Sequence, residues 1–229
     1  MRRISFGVLL IAFSTLVLEV MLTRAFDVTL APNISYFVVT LAVFSFGLAG
    51  IYATLRPIPI EQDIRGILRT RSFAFAVTVL LLVPVINALP LDYTHLGHHP
   101  VKILSAFAAL YVALLLPFFL AGYILIAVFS KYAASIQRLY FWDLIGAGLG
   151  TVLVIPLIAK IGPGGLIVCA AAVALLAAAL FSERRSWTKT AVIAAIVVAA
   201  IPFLRAPHYI DFDEHIDKRG VMTLSLIHI

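Results

Sequence analysis

Three ionisable residues lie inside or at the edge of long apolar runs: Glu19, Arg24 and Asp143. A carboxylate within a hydrocarbon-length segment costs roughly 2.5–3.5 kcal/mol or more at the centre, so such a residue is held there by a partner or by a function. On a helix, Glu19 would lie about 22 Å from Ile4, in the far half of its run. Arg24, five residues on, is rotated by about 140° and can extend its guanidinium to the interface. The two are therefore a poor intrahelical pair, and each is expected to face another helix. Glu19 reads equally as a substrate or proton site and as an interhelical polar clamp. Asp143, at the start of its run, reads as a site carboxylate or as a complement to a helix N-terminus.

Other constellations are weaker. Asp92, His95, His98 and His99 crowd one loop, and imidazoles beside a carboxylate suit zinc or copper. Their spacing fits no closed metal motif, so no metal is expected there. Ile161–Leu166 reads Ile-Gly-Pro-Gly-Gly-Leu, with Glu183 further on, and mimics a nucleotide-binding turn. Its flanks are membrane-length and lack a βαβ pattern, so it is read as a tight turn between two helices. The single cysteine, Cys169, lies in an apolar run without a nearby base. No catalytic residue and no cofactor are expected in this chain.

The elements that carry these residues are apolar runs. Hydrophobic residues make up 63% of the 229 residues and charged residues 12%, against about half and a quarter in soluble domains. The expected fold is all-α: a polytopic transmembrane helix bundle of about seven spans. They run near 4–26, 35–55, 72–91, 103–129, 140–159, 164–181 and 190–204, and the last is short at about 15 residues. The runs are too long and too uniformly apolar for barrel strands. The first is too long for a cleaved leader and lacks a small-x-small site before Asp27. Residues 1–205 thus form one membrane domain, and 206–229 a polar tail. Leu224–Ile229 resembles a translated sequencing-library end, so the tail is expected to be the truncated start of a further domain.

Charge sorts by loop. Arg2 and Arg3, then Arg56, Arg65, Arg69 and Arg71, then Lys131 and Arg138, then Arg184, Arg185 and Lys189 fall on one side of the expected topology. Lys102, Lys160, Arg205, Lys218 and Arg219 fall on the other. The positive-inside rule places the N-terminus in the cytoplasm. The net charge of +6 is spread over loops, without the basic-aromatic runs of a nucleic-acid binder. Ile60, Ile64, Ile67 and Leu68 recur at helical spacing among arginines, which suits either a helix on the lipid surface or a solvated loop. Pro117 is expected to kink the fourth span. Tyr140, Phe141 and Trp142 suit an interface, and Gly146 and Gly150, with Gly148 between them, form a small-xxx-small face for helix packing.

Three stretches carry a family resemblance: Leu18–Arg24 (Leu-Glu-Val-Met-Leu-Thr-Arg), Leu116–Gly122 (Leu-Pro-Phe-Phe-Leu-Ala-Gly) and Leu139–Gly150 (Leu-Tyr-Phe-Trp-Asp-Leu-Ile-Gly-Ala-Gly-Leu-Gly). Together they resemble the N-terminal membrane region of bacterial spermidine synthase-like proteins, polyamine aminopropyltransferase-like chains with several spans. The resemblance implies an inner-membrane region that anchors, and in one version feeds, a C-terminal catalytic domain. That domain would bind decarboxylated S-adenosylmethionine and a polyamine, and its motifs would lie beyond residue 229. The partners implied are the lipid bilayer, a polyamine-like cation and the missing domain. Two other readings stay open: a small-molecule transporter or channel-like bundle with no catalytic role, and an inert anchor assembling through Gly146 and Gly150.

Overall fold

The computed structural model describes residues 1–29, 32–57, 63–89, 100–182, 193 and 196, with the side chains of 28–35 left aside. Among the described residues the regular structure is helical: α1 (Arg2–Thr29), α2 (Pro32–Leu55), α3 (Ile64–Ala88), α4 (Pro100–Lys131) and α5 (Ile136–Phe181). A 3-10 turn, Ala133–Ser135, joins α4 to α5. All five helices are long and apolar enough to cross a membrane.

Helix α5 is two helices in one. Its 46 residues would make a straight rod about 70 Å long, more than twice a hydrocarbon core of about 30 Å. Gly162 interrupts it with φ 70° and ψ 172°, a region essentially reserved for glycine. The arms on either side run in opposite directions. On the first arm, Gly146 meets Leu9 and Gly150 meets Phe13, so this arm runs parallel to α1. On the second, Ser14 Oγ donates to the Ala170 carbonyl at 2.9 Å and Phe181 packs on Gly7, so this arm runs antiparallel to α1. The expected turn at Ile161–Leu166 is therefore the tip of a helical hairpin. The expected runs 140–159 and 164–181 are its arms. The seventh run, 190–204, and the tail lie outside the described residues.

Helix α1 is the axis of the bundle. Ile4, Val8, Ile11, Leu18, Met21, Leu22 and Phe26 are all buried, and α1 packs most extensively on α5. Helix α2 runs parallel to α4. Phe37 and Phe44 contact Tyr111 near the start of α4, while Tyr52 contacts Phe119 and Tyr123 further along. Gly122 admits this approach, since a Cβ there would lie 3.2 Å from the Phe46 backbone. Pro117 is buried inside α4 and does not end it.

Helix α3 begins earlier than the apolar run alone suggests. Asp63 caps it, accepting from the Arg65 N–H at 3.1 Å. Ile64 and Leu68 are buried, whereas Arg65 and Arg69 are exposed. The described part of the amphipathic segment expected as a surface helix or loop is thus the first two turns of α3, with Ile64 and Leu68 turned into the bundle, while Ile60 lies outside the described residues. The outward faces are apolar in turn. Val43 is 70% exposed, Leu55 76%, Val101 81% and Ile155 73%. Apolar surface spread over several helices in this way suits lipid as the surrounding medium.

Candidate functional site

The directions of the helices decide which polar residues meet. Phe6 and Trp142 stack with ring centroids 4.8 Å apart, which sets the start of α5 level with the start of α1. Asp143 is therefore at the Phe6 end of α1. Glu19 lies thirteen residues further along α1, a rise of about 20 Å. The two carboxylates belong to opposite halves of the bundle and do not share a site.

Each stands in a different setting. Glu19 is half-buried on α1, and Thr23 Oγ1 donates to its backbone carbonyl at 2.8 Å. Arg24 is exposed and forms no ion pair with Glu19 among the described residues. Asp143 is half-buried, one turn before Gly146. Because α5 starts at Ile136, Asp143 sits two turns inside the helix, and the first turn holds no acidic residue. A helix N-terminus favours an anion only within about its first turn, so the capping reading of Asp143 fails.

The glycine face is used within the chain. A Cβ on Gly146 would overlap the Leu9 carbonyl oxygen, and one on Gly150 would stand 2.9 Å from the Phe13 carbonyl oxygen. Gly148 faces open space, with nothing within 4 Å of a Cβ there. Gly146 and Gly150 thus bring α5 against α1, and Gly148 takes no part. Assembly of separate chains through Gly146 and Gly150 would have to open this contact.

Asp92, His95, His98 and His99 lie outside the described residues. Among the described residues no group of three or more His, Cys, Asp or Glu side chains gathers as a metal site would. Cys169 is free and half-buried in the second arm of α5. Two cavities among the described residues lie at helix ends. One, of about 340 Å³, lies between α2 and α4, lined by Ala53, Pro57, Tyr123, Ile126 and Lys131. Another, of about 240 Å³, is lined by Arg2, Arg3, Ile4, Arg65, Leu180 and Phe181.

Two features escape sequence reasoning. The Arg71 guanidinium sits over the Tyr123 ring, 5.5 Å from its centroid, and so ties α3 to α4. The Ser14 hydroxyl ties α1 to α5 across 156 residues of chain. A serine in an apolar run hints at such a bond, but its partner is set by tertiary packing. No protein-family profile, curated protein or solved structure matches this chain.

Proposed function

We propose that the chain is the membrane-embedded module of a spermidine synthase-like protein, with its N-terminus in the cytoplasm of a bacterial cell, and that its role is to anchor an aminopropyltransferase-like domain. The observation that carries the anchoring role is where the three resembling stretches fall. Gly122 stands against Phe46, Gly146 and Gly150 stand against α1, and Leu18, Met21 and Leu22 are buried. Each of the three stretches thus places buried residues where helix packs on helix. This suits a rigid support better than a transport path.

With both arms of α5 crossing, the described helices make six crossings, and Ser182 returns to the side of Arg2. The stretch 190–204, at about 15 residues, is short for a further crossing. A domain that follows would then sit in the cytoplasm, where an adenosyl substrate is found. Glu19 is the carboxylate we assign to a polyamine-like cation. Asp143, at the other end, would be a separate contact.

Two measurements test this. Reconstituted alone in liposomes, the chain should give no spermidine flux above that of empty vesicles. Flux that rises with the amount of protein would establish the transporter reading in place of the anchor. Separately, Glu19→Gln should abolish spermidine binding to the detergent-solubilised chain, and unchanged binding would remove Glu19 from any site.

A further inference from the structure

We infer that the cleft between the start of α1, the start of α3 and the end of α5 is a binding site for the phosphate group of an anionic phospholipid. The inference rests on the bundle lying in a bilayer and not on the aminopropyltransferase reading. Arg65 lies more than sixty residues from Arg2 and Arg3 in the chain, yet the three line one cavity of about 240 Å³. Its remaining walls are Met1, Ile4, Leu180 and Phe181, an apolar floor beneath a cationic rim. That pairing of charge and apolar surface matches a lipid, whose phosphate meets the rim while its chains follow the helices. Basic clefts between transmembrane helices at the cytoplasmic end are suited to such headgroups.

Two more observations agree. Ser5 and Ser182, each next in the chain to a residue of the cavity wall, are buried, and their hydroxyls have no hydrogen-bond partner among the described residues. Asp63, two residues before Arg65, is exposed and spends an oxygen on the Arg65 N–H as the cap of α3. It does not neutralise the three guanidiniums. Guanidinium is also the cation best matched to phosphate, since it can donate two parallel hydrogen bonds.

The test uses the full chain in a neutral detergent. Retention of phosphatidylglycerol and of phosphatidylcholine is measured by native mass spectrometry, and thermal stability is followed with each lipid and with inorganic phosphate. Each arginine near an anionic headgroup contributes about fivefold, so removing three should weaken phosphatidylglycerol binding by about 100-fold. The expected result is that R2Q/R3Q/R65Q loses its preference for phosphatidylglycerol over phosphatidylcholine. Arg138→Gln, whose side chain lines a different cavity, should keep it. If the triple variant does not fold, Arg65→Gln alone should show about a fivefold loss. An undiminished preference in a folded triple or single variant overturns the site. Stabilisation by inorganic phosphate equal to that by phosphatidylglycerol overturns the lipid assignment and gives the cleft to a soluble anion.

Discussion

Alanine substitution along the glycine face measures how closely α1 and α5 are held. At Gly146 a Cβ would overlap the Leu9 carbonyl oxygen and stand 2.9 Å from the Leu9 Cα and carbonyl carbon. Those are backbone atoms and cannot swing aside, so the first arm of α5 must withdraw by on the order of 1 Å. A gap of that size forfeits a quarter to a half of each pairwise attraction. One leucine's worth of contact, about 50 atom pairs at about 0.15 kcal/mol, then loses about 2.5 kcal/mol. This falls within the range of about 1–3 kcal/mol for overpacked sites. Alanine also gains about 1 kcal/mol of helix propensity over glycine. Gly148→Ala has the same gain and nothing within 4 Å to strike, so it is the reference. Reversible unfolding in mixed micelles, or steric trapping in bicelles, should place Gly146→Ala about 2.5 kcal/mol below Gly148→Ala. That is roughly 70-fold in the folded-to-unfolded ratio. Gly150→Ala, at 2.9 Å from the Phe13 carbonyl oxygen and 3.4 Å from the Leu16 Cβ, should fall between them. Equal stability of Gly146→Ala and Gly148→Ala would refute the close contact of α1 with α5.

The hairpin and the sidedness of the bundle give further tests. Gly162→Ala places a side chain at φ 70°, ψ 172°, and should cost about 1–3 kcal/mol in the same unfolding assay; no loss would mean the two arms are joined differently. Ser14→Ala removes the 2.9 Å bond to Ala170 and should cost about 0.6 kcal/mol, the average for such bonds in a membrane. A cost near zero would show that water or another group takes its place. In a Cys169→Ser background, cysteines at Arg56 and Arg138 should react with an impermeant thiol reagent from one side of sealed vesicles, and cysteines at Val101 and Lys160 from the other. Labelling of Arg138 and Lys160 positions from the same side would overturn the crossing of the first arm of α5.

Much of the architecture follows from apolar length, because hydrocarbon thickness fixes how long a spanning helix must be. The runs near 4–26, 35–55 and 103–129 became α1, α2 and α4 with shifts of a few residues. The start of α3 was less legible. Ile64 and Leu68 show helical spacing, but only the tertiary contact decides whether that stripe meets lipid or protein. The turn at Gly162 was legible from Gly and Pro alone, as no other residue type tolerates its dihedrals cheaply. The polar residues were the hardest to place. Sequence identifies Glu19 and Asp143 as costly in lipid, yet their separation depends on α5 running parallel to α1, and no local pattern carries that. The reading of Asp143 as a complement to the helix N-terminus failed for a similar reason: the helix begins at Ile136, before the apolar run that marks it.

The central place of α1 bears on how the module would work. It contacts both arms of α5 in opposite directions, and also α2 and α4. Three of its contacts with α5 are backbone-close or hydrogen-bonded, at Leu9, Phe13 and Ser14. A transport cycle of the rocking kind needs one group of helices to move against another. A division that parted α1 from either arm of α5 would open the Gly146 contact on one side or the Ser14 bond on the other. The hairpin at Gly162 ties those two arms to each other as well. Helix α1 and both arms of α5 therefore form one packed unit, and a rocking movement would have to run between that unit and α2, α3 and α4.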